Sequence, residues 1–296
     1  MSKKTLDKKK WHTSLTGVRW WKEVGWRHIV GILVIVYCII PLLYVLSASL
    51  KPGSTLTGSN QMFSQVAATN YANLMETNFW RWMLNSIIVA GITAFGSVLM
   101  VAAAAYAFSR FRFKGRRGTL TFLLLVQMFP QMLAFVAIYL LLLNLQNVFP
   151  ILGLDSLIGL ICVYLGAALG TNTFLMYGFF NSIPQTLDEA AEIDGCTHAQ
   201  VYWRIVLPMV VPILAVVGLL GFISSFGDFI LASVILQKEE NLTLAVGMYR
   251  WASDAKQVDW GQFAAGAVIA AIPIILLFQF LQKYIVSGLT AGSVKG

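Results

Sequence analysis

Six stretches of the chain are apolar without a break, and polar segments separate them. They fall at about 29–50, 84–108, 119–143, 156–180, 209–236 and 262–286, each long enough for the roughly 20 residues an α-helix needs to cross a bilayer. The runs are continuous and rich in Leu, Ile, Val and Ala, with small residues that let helices approach closely. A membrane β-barrel would show alternating segments of about ten residues instead. The pattern predicts an all-α, polytopic membrane protein with six transmembrane helices over residues 29–286, preceded by a basic segment, 1–28, and followed by a short tail, 287–296.

The insert between the fourth and fifth runs has a helical grammar of its own. Thr186 followed three residues later by Glu189 reads as a capping box, with Asp188 and Glu189 at the positive end of the helix dipole. Gly195 is placed to close that helix in the left-handed conformation, Thr197 with Gln200 repeats the box, and the second helix is expected to stop near Pro208. Leu187, Ala190 and Ala191 share one face of the first helix, and Val201 and Ile205 one face of the second. Two helices this short are marginal alone and need a surface to pack on.

Charge orients the runs. Hydrophobic residues make up 58% of the chain and charged residues 11%, against about 25% charged in soluble domains. Residues 1–28 carry eight Lys and Arg, and the loop after the second run carries five more: Arg110, Arg112, Lys114, Arg116 and Arg117. With both segments in the cytoplasm, sixteen of the 21 basic residues lie inside and five outside, which puts both termini and the Glu189 insert on the cytoplasmic side. The insert itself, with four acids and only Arg204 as a base, runs against that rule; its neighbours place it. The net charge of +8 does not point to nucleic acid, because the basic residues sit beside membrane ends, where anionic lipid accounts for them. Trp20, Trp21 and Trp26 among Lys and Arg suit an interfacial segment. The first run has a small-residue site, Ser47-Ala48-Ser49, but is long for a cleavable signal, so an uncleaved first helix is expected. Cys38, Cys162 and Cys196 are scattered and form neither a disulfide framework nor metal spacing.

The chain has no phosphate-cradling Gly-rich loop ending in Gly-Lys-Ser/Thr, no His-Glu-x-x-His pair, no Gly-x-Ser-x-Gly elbow, and no ligand spacing among His12, His28 and His198. It is not expected to be an enzyme. Only Asp228 lies well inside an apolar run, which argues against a gradient-driven carrier, a class that buries several ionisable groups.

The insert resembles the EAA loop of membrane subunits of bacterial ATP-binding-cassette importers. That pattern is Glu-Ala-Ala, three residues, Gly, nine residues, then Ile-x-Leu-Pro, and Glu189, Ala190, Ala191, Gly195, Ile205, Leu207 and Pro208 match it without a gap. The ending Gly288 to Gly296 is similar to that of carbohydrate-importer permeases of the maltose type. So are Gln127-Met128-Phe129-Pro130, Leu244 to Met248, and Trp260-Gly261-x-Phe263-Ala264-Ala265. The resemblance covers about residues 29–296 and is to the smaller maltose/maltodextrin permease subunit; galacto-oligosaccharide importers share much of it.

It implies a permease of the bacterial cytoplasmic membrane that works with a second permease subunit, two cytoplasmic ATPase subunits and an extracytoplasmic sugar-binding protein. This chain would bind no cofactor, ATP and Mg²⁺ being held by the partner ATPase. Carried onto this sequence, Glu189 faces a basic group of the ATPase, Ala190 and Ala191 are the small contacts, and Gly195 is the sharp turn after Asp194. Ile205, Leu207 and Pro208 lead into the fifth span, and Gly292 and Lys295 lie in a tail that reaches the ATPase. Tyr249, Arg250, Trp251 and Asp254 would form the tip of a loop that enters the binding protein's groove.

Sugars are held by amides, carboxylates and aromatic faces in largely apolar pockets. Ser224, Ser225, Gly227 and Asp228, framed by Phe222, Phe226 and Phe229, are a candidate lining for the sugar path; the equal alternative is that Asp228 satisfies a helix end or a neighbouring subunit. Gln127 and Gln131 about Pro130, and Asn172 in the fourth span, either face the path or bond between helices.

Overall fold

The computed structural model describes residues 20–53, 62–253 and 258–293, and over these it is helical, with no strand. After a π-turn at Trp21–Gly25 come α1 (Trp26–Leu50), α2 (Thr69–Met75), α3 (Phe79–Arg110), α4 (Arg116–Gln127), α5 (Gln131–Leu145) and α6 (Leu157–Ser182). Then follow α7 (Thr186–Ile193), α8 (His198–Val201), a second π-turn at Tyr202–Val206, α9 (Leu207–Gly227), α10 (Ile230–Ile235), α11 (Leu244–Ser253) and α12 (Trp260–Ser293).

Four helical runs are long and apolar enough to cross a membrane: Glu23–Leu50, Phe79–Arg110, His198–Gly227 and Trp260–Ile285. The third and fourth apolar runs, expected as single spans, are bent pairs, and counting each pair as one span brings the total to six. Between α4 and α5 the axis turns by 98°. Pro130 has no N–H and pushes the residue before it out of the helical region, so α4 closes on the Leu125 and Val126 carbonyls and α5 starts afresh from an extended Pro130. Within α6 the bend between Leu157–Gly170 and Asn172–Ser182 is 48°.

The fifth run also departs from expectation. It was read as 209–236, but α9 ends at Gly227, Asp228 is extended, and α10 is a separate short helix. At its other end the helix does not stop at Pro208. It runs on from α8 through the π-turn, in which the Leu207 N–H reaches back to the Tyr202 carbonyl, and Pro208 follows directly on this interruption of the ordinary i→i−4 ladder.

The long α3 is the central post, packed by α6 on one side and α9 on the other, while α12 lies between α9 and α1. Close approach uses small residues: Gly96 sits under Leu165, and Gly221 faces Ala94 and Ser97. One buried cluster, from Leu74, Phe79 and Trp82 to Leu236, Val246 and Ala265, fills the end remote from the basic loop. A second, from Val101, Ala105 and Tyr106 to Phe180, Val201, Val206 and Val217, fills the end nearest it. By contrast α1 packs along α12 and turns Ile32, Leu33, Tyr37 and Leu42 outward, as suits lipid or another subunit.

The remote end is stitched by polar bonds. Trp82 Nε1 donates to the Glu239 carbonyl at 2.8 Å, Asn85 Nδ2 to the Glu240 and Leu242 carbonyls at 3.0 and 2.9 Å, and Leu244 N–H to Ser86 Oγ at 2.7 Å. Asp155, itself in the left-handed region at φ 60°, accepts from the Gln237 and Lys238 amides at 3.1 and 2.9 Å. The chain between α10 and α11 is thereby pinned to both α3 and the start of α6.

Candidate functional site

Two places bring together the residues singled out in the sequence. The first is the hairpin of α7 and α8 at the basic end. Asp194 caps α7, and Gly195 at φ 83° turns the chain, its N–H donating to Glu192 O at 3.0 Å while Cys196 N–H reaches Ala191 O at 2.9 Å. These paired bonds are the Schellman closure of a helix. The box at Thr197 forms as expected: its N–H donates to Gln200 Oε1 at 2.8 Å and its Oγ1 accepts from Gln200 N–H at 3.3 Å.

The box expected at Thr186 does not form. Gln185 is already helical, and the Pro184 and Gln185 carbonyls accept from the Leu187, Asp188 and Glu189 amides. The proline upstream starts the turn two residues early, so Thr186 lies inside it and its hydroxyl has no orphan amide to satisfy.

The faces of the hairpin also differ from the expected pattern. Ala191, Val201, Tyr202 and Val206 are buried in the cluster at this end, with Ile205 and Leu207 packed at its edge. Asp188 joins the inward face, whereas Leu187, Glu189 and Ala190 point outward. Ile193 is 86% exposed and Trp203 57%. The hairpin therefore presents exposed apolar side chains together with the exposed acids Glu189, Glu192 and Asp194, of which Glu192 pairs with His198 at 3.0 Å.

Asp188 is the residue whose role the sequence hid. Read there as an ally of the helix dipole, it pairs with Arg110 at the end of α3. Burial pushes its carboxyl above the usual carboxylate range, against the opposing pull of the Arg110 guanidinium. Arg110 had been absorbed into the count of basic residues near a membrane end, where a buried arginine looks like any other.

The second place is a cavity of about 570 Å³ between α3, α4, α5, α6 and α9. Gln127, Gln131, Asn172, Ser224, Ser225 and Asp228 all line it, together with Thr93, Ser97, Tyr164 and aliphatic side chains. The breaks in the helices make it: the turn at Pro130 carries Gln127 and Gln131 to one wall, and the end of α9 carries Asp228 to another. Asp228 satisfies a helix end, its Oδ1 capping α10 by accepting from Leu231 and Ala232 N–H at 3.1 and 3.2 Å, and the residue also lines the cavity. Phe226 does not line it; it is buried and stacks on Phe222 at 5.6 Å in the remote cluster. Among the described residues, none that line it is lysine, arginine or histidine.

Gln127 lies directly over Gly170, in the space a Cβ there would occupy. Gly170→Val is expected to drive the amide out of its place, at about 1–3 kcal/mol for the overpacked contact. The check is a lower unfolding temperature in detergent with a normal membrane level.

Of the loop residues, Arg250 donates to the Gln237 carbonyl at 3.0 Å, Tyr249 is exposed and lies on Phe229, and Trp251 packs on Trp82 and Phe79 instead of reaching outward. Asp254 and Lys295 lie outside the described residues; Gly292 falls in α12, which continues to Ser293 through most of the segment expected to be a separate tail, 287–296.

The helical bundle has broken spans with a polar cavity between them. The chain belongs to the family of binding-protein-dependent transport system inner membrane components, which it matches over residues 97–291. It is 41% identical over 268 residues to the galactooligosaccharides transport system permease protein GanQ of Bacillus subtilis (strain 168), covering 89% of this chain and 91% of that one. It is 39% identical over 265 residues to the maltodextrin transport system permease protein MdxG of the same organism, covering 89% and 92%. To the maltose/maltodextrin transport system permease protein MalG of Escherichia coli (strain K12) it is 38% identical over 282 residues, covering 91% and 95%. In fold it is similar to a chain of a bacterial ABC transporter that imports the acidic polysaccharide alginate, with a TM-score of 0.75 at 24% identity over 91% of this chain and 99% of that one.

The protein is thus an inner-membrane permease subunit of an ABC importer for oligosaccharides, and not itself an enzyme. It acts with a second permease, ATPase subunits and an extracytoplasmic binding protein.

Proposed function

We propose that the chain imports neutral oligosaccharides of the maltodextrin or galacto-oligosaccharide kind, with six spans, both termini in the cytoplasm, and the α7–α8 hairpin as the EAA loop that takes its drive from the ATPase. ATP and Mg²⁺ belong to that partner. The observation that carries the substrate reading is the cavity lining, in which amides, hydroxyls and the carboxylate of Asp228 offer donors and acceptors to sugar hydroxyls beside the aromatic side chains of Phe135 and Phe179. The coupling reading is supported by the exposed Leu187, Ala190, Ile193 and Trp203 beside Glu189, an apolar surface held on a hairpin whose second arm continues without a break into a spanning helix. Maltodextrins are supported by the tail and loop resemblance, and galacto-oligosaccharides by the 41% identity to GanQ.

Uptake of labelled maltotetraose and galactotetraose by cells carrying the full transporter decides between them; transport of a charged uronate oligosaccharide in preference to both would overturn the neutral reading. Asp228→Asn keeps an oxygen to cap α10 but loses the charge. It is expected to leave the amount of protein in the membrane unchanged and to reduce uptake about tenfold or more, the worth of a hydrogen bond to a charged group. Asp228→Ala adds the loss of the cap, about 1 kcal/mol of stability. Wild-type uptake kinetics in Asp228→Asn would leave Asp228 with the capping role alone.

A further inference from the structure

Arg112 and Lys114 face solvent, but Arg110, at the end of α3, turns inward, and its side chain is 6% exposed. Its Nε pairs with the Asp188 carboxylate, itself 12% exposed. Nη1 donates to the Phe180 carbonyl and Nη2 to the Ile183 carbonyl, both at 3.2 Å. Phe180 lies in the last turn of α6 and Ile183 is its C-cap; the Phe180 carbonyl also accepts the Ile183 N–H at 3.3 Å, and the guanidinium adds a second bond there. The adjoining Ser109 Oγ donates to Asn181 Oδ1 at 2.8 Å, adding a second tie between α3 and α6.

One guanidinium therefore joins three elements: the end of the central helix, the end of α6, and the first turn of α7. The covalent link between α6 and α7 is weak by comparison. Ile183 is extended and Pro184 follows it, so on the α6 side the eight-residue helix is joined by a short non-helical segment, while Ala191 packs its inner face on the cluster. Force applied to α7 would bend that joint before it moved the bundle, unless something braces across it. A planar fork spreads fixed donors over three nitrogens and can hold a carboxylate and two carbonyls set apart from one another; an ammonium group has three donors, but all on one nitrogen, and cannot span acceptors set apart in this way.

We propose that Arg110 is a positioning residue that cross-braces α7 to α3 and α6, so that displacement of α7 is passed to the spanning helices as a rigid movement instead of being absorbed at residues 183–185. The proposal rests on the reading of α7–α8 as the site where the ATPase engages. It assigns a function within this chain to a residue that touches neither the ATPase surface nor the sugar cavity.

The test uses the complete transporter in proteoliposomes, with Arg110→Lys, which keeps the charge but not the fork, and Asp188→Asn, which keeps the shape but not the charge. Two quantities are read: sugar imported per ATP hydrolysed, and amide hydrogen exchange over residues 186–195. Both variants are expected to assemble with the ATPase and hydrolyse ATP, to import at least fivefold less sugar per ATP, and to exchange these amides at least tenfold faster. Wild-type stoichiometry in an assembled Arg110→Lys complex overturns the proposal, whatever the exchange shows. Asp188→Asn decides in the same way if Arg110→Lys does not insert. Glu189→Lys separates the two levels: if it uncouples while Arg110→Lys does not, only the brace fails, and if neither uncouples, the coupling reading fails with it.

Discussion

Gly195→Pro is expected to abolish sugar uptake while leaving the protein in the membrane. Gly195 holds φ at 83° and donates its N–H to Glu192 O at 3.0 Å. Proline fixes φ near −65° and has no N–H, so it loses both the turn and the bond that closes α7, at about 3 kcal/mol or more. It also restricts Asp194 before it, whose φ of −74° and ψ of 4° belong to the helix end. A Cβ at this position would meet open space, so Gly195→Ala carries only the left-handed penalty of about 1–2 kcal/mol. The pair thus separates loss of the turn from mere change of side chain. The spanning helices are formed by their own apolar runs and not by the turn, so the membrane level should hold. In the proposed transporter uptake should fall below a tenth of wild type for proline and by much less for alanine, as measured by labelled sugar uptake against immunoblotted membrane protein. Full uptake by Gly195→Pro would show that the hairpin is not needed in this conformation.

The second large effect lies at the opposite end and concerns stability. Trp82 is 2% exposed, its ring covers the face of Gly247 and meets Trp251 at 5.0 Å, and its Nε1–H satisfies the Glu239 carbonyl. Trp82→Ala removes the central side chain of the remote cluster and leaves that carbonyl without its donor. The expected cost is about 3–5 kcal/mol, as for large aromatic-to-alanine changes in packed interiors. Trp82→Phe, which keeps most of the volume and loses the bond, should cost about 1–3 kcal/mol. Thermal unfolding of the purified protein in detergent checks both. Equal unfolding temperatures for Trp82→Ala and the wild type would mean that α11 is not held by this contact.

What could be read from the sequence follows from how local the determining forces are. The spanning runs were legible because bilayer crossing is a matter of continuous hydropathy. The hairpin was legible because Gly195, Thr197 and Gln200 act within a few residues of one another. Where a local signal failed, another local signal had overridden it: Pro184 started α7 before Thr186 could cap it, and the π-turn at Tyr202–Val206 carried the helix past Pro208. The break at Asp228 was hidden because its cause is a side chain capping three and four residues on, amid residues apolar enough to continue the run.

The polar lining of the cavity was half legible. Gln127, Asn172, Ser225 and Asp228 stood out as polar groups in apolar runs, but only packing could show that they converge and that Phe226 does not join them. The contact of Arg110 with Asp188 spans 78 positions of sequence and has no local signature. Both residues had adequate simpler explanations in the charge pattern, and a pair of that kind becomes visible only when both partners are seen to be buried.

The central claim is that the α7–α8 hairpin is where this permease receives energy. Its most direct test is the number of sugar molecules imported per ATP by the complete transporter in proteoliposomes, wild type against Glu189→Lys. Glu189 is exposed beside the apolar surface of the hairpin, so reversing its charge should leave the fold intact and disturb only what docks there. Normal insertion and at least a tenfold fall in sugar per ATP are expected; a Glu189→Lys transporter that imports with wild-type stoichiometry and rate would show that the drive enters elsewhere.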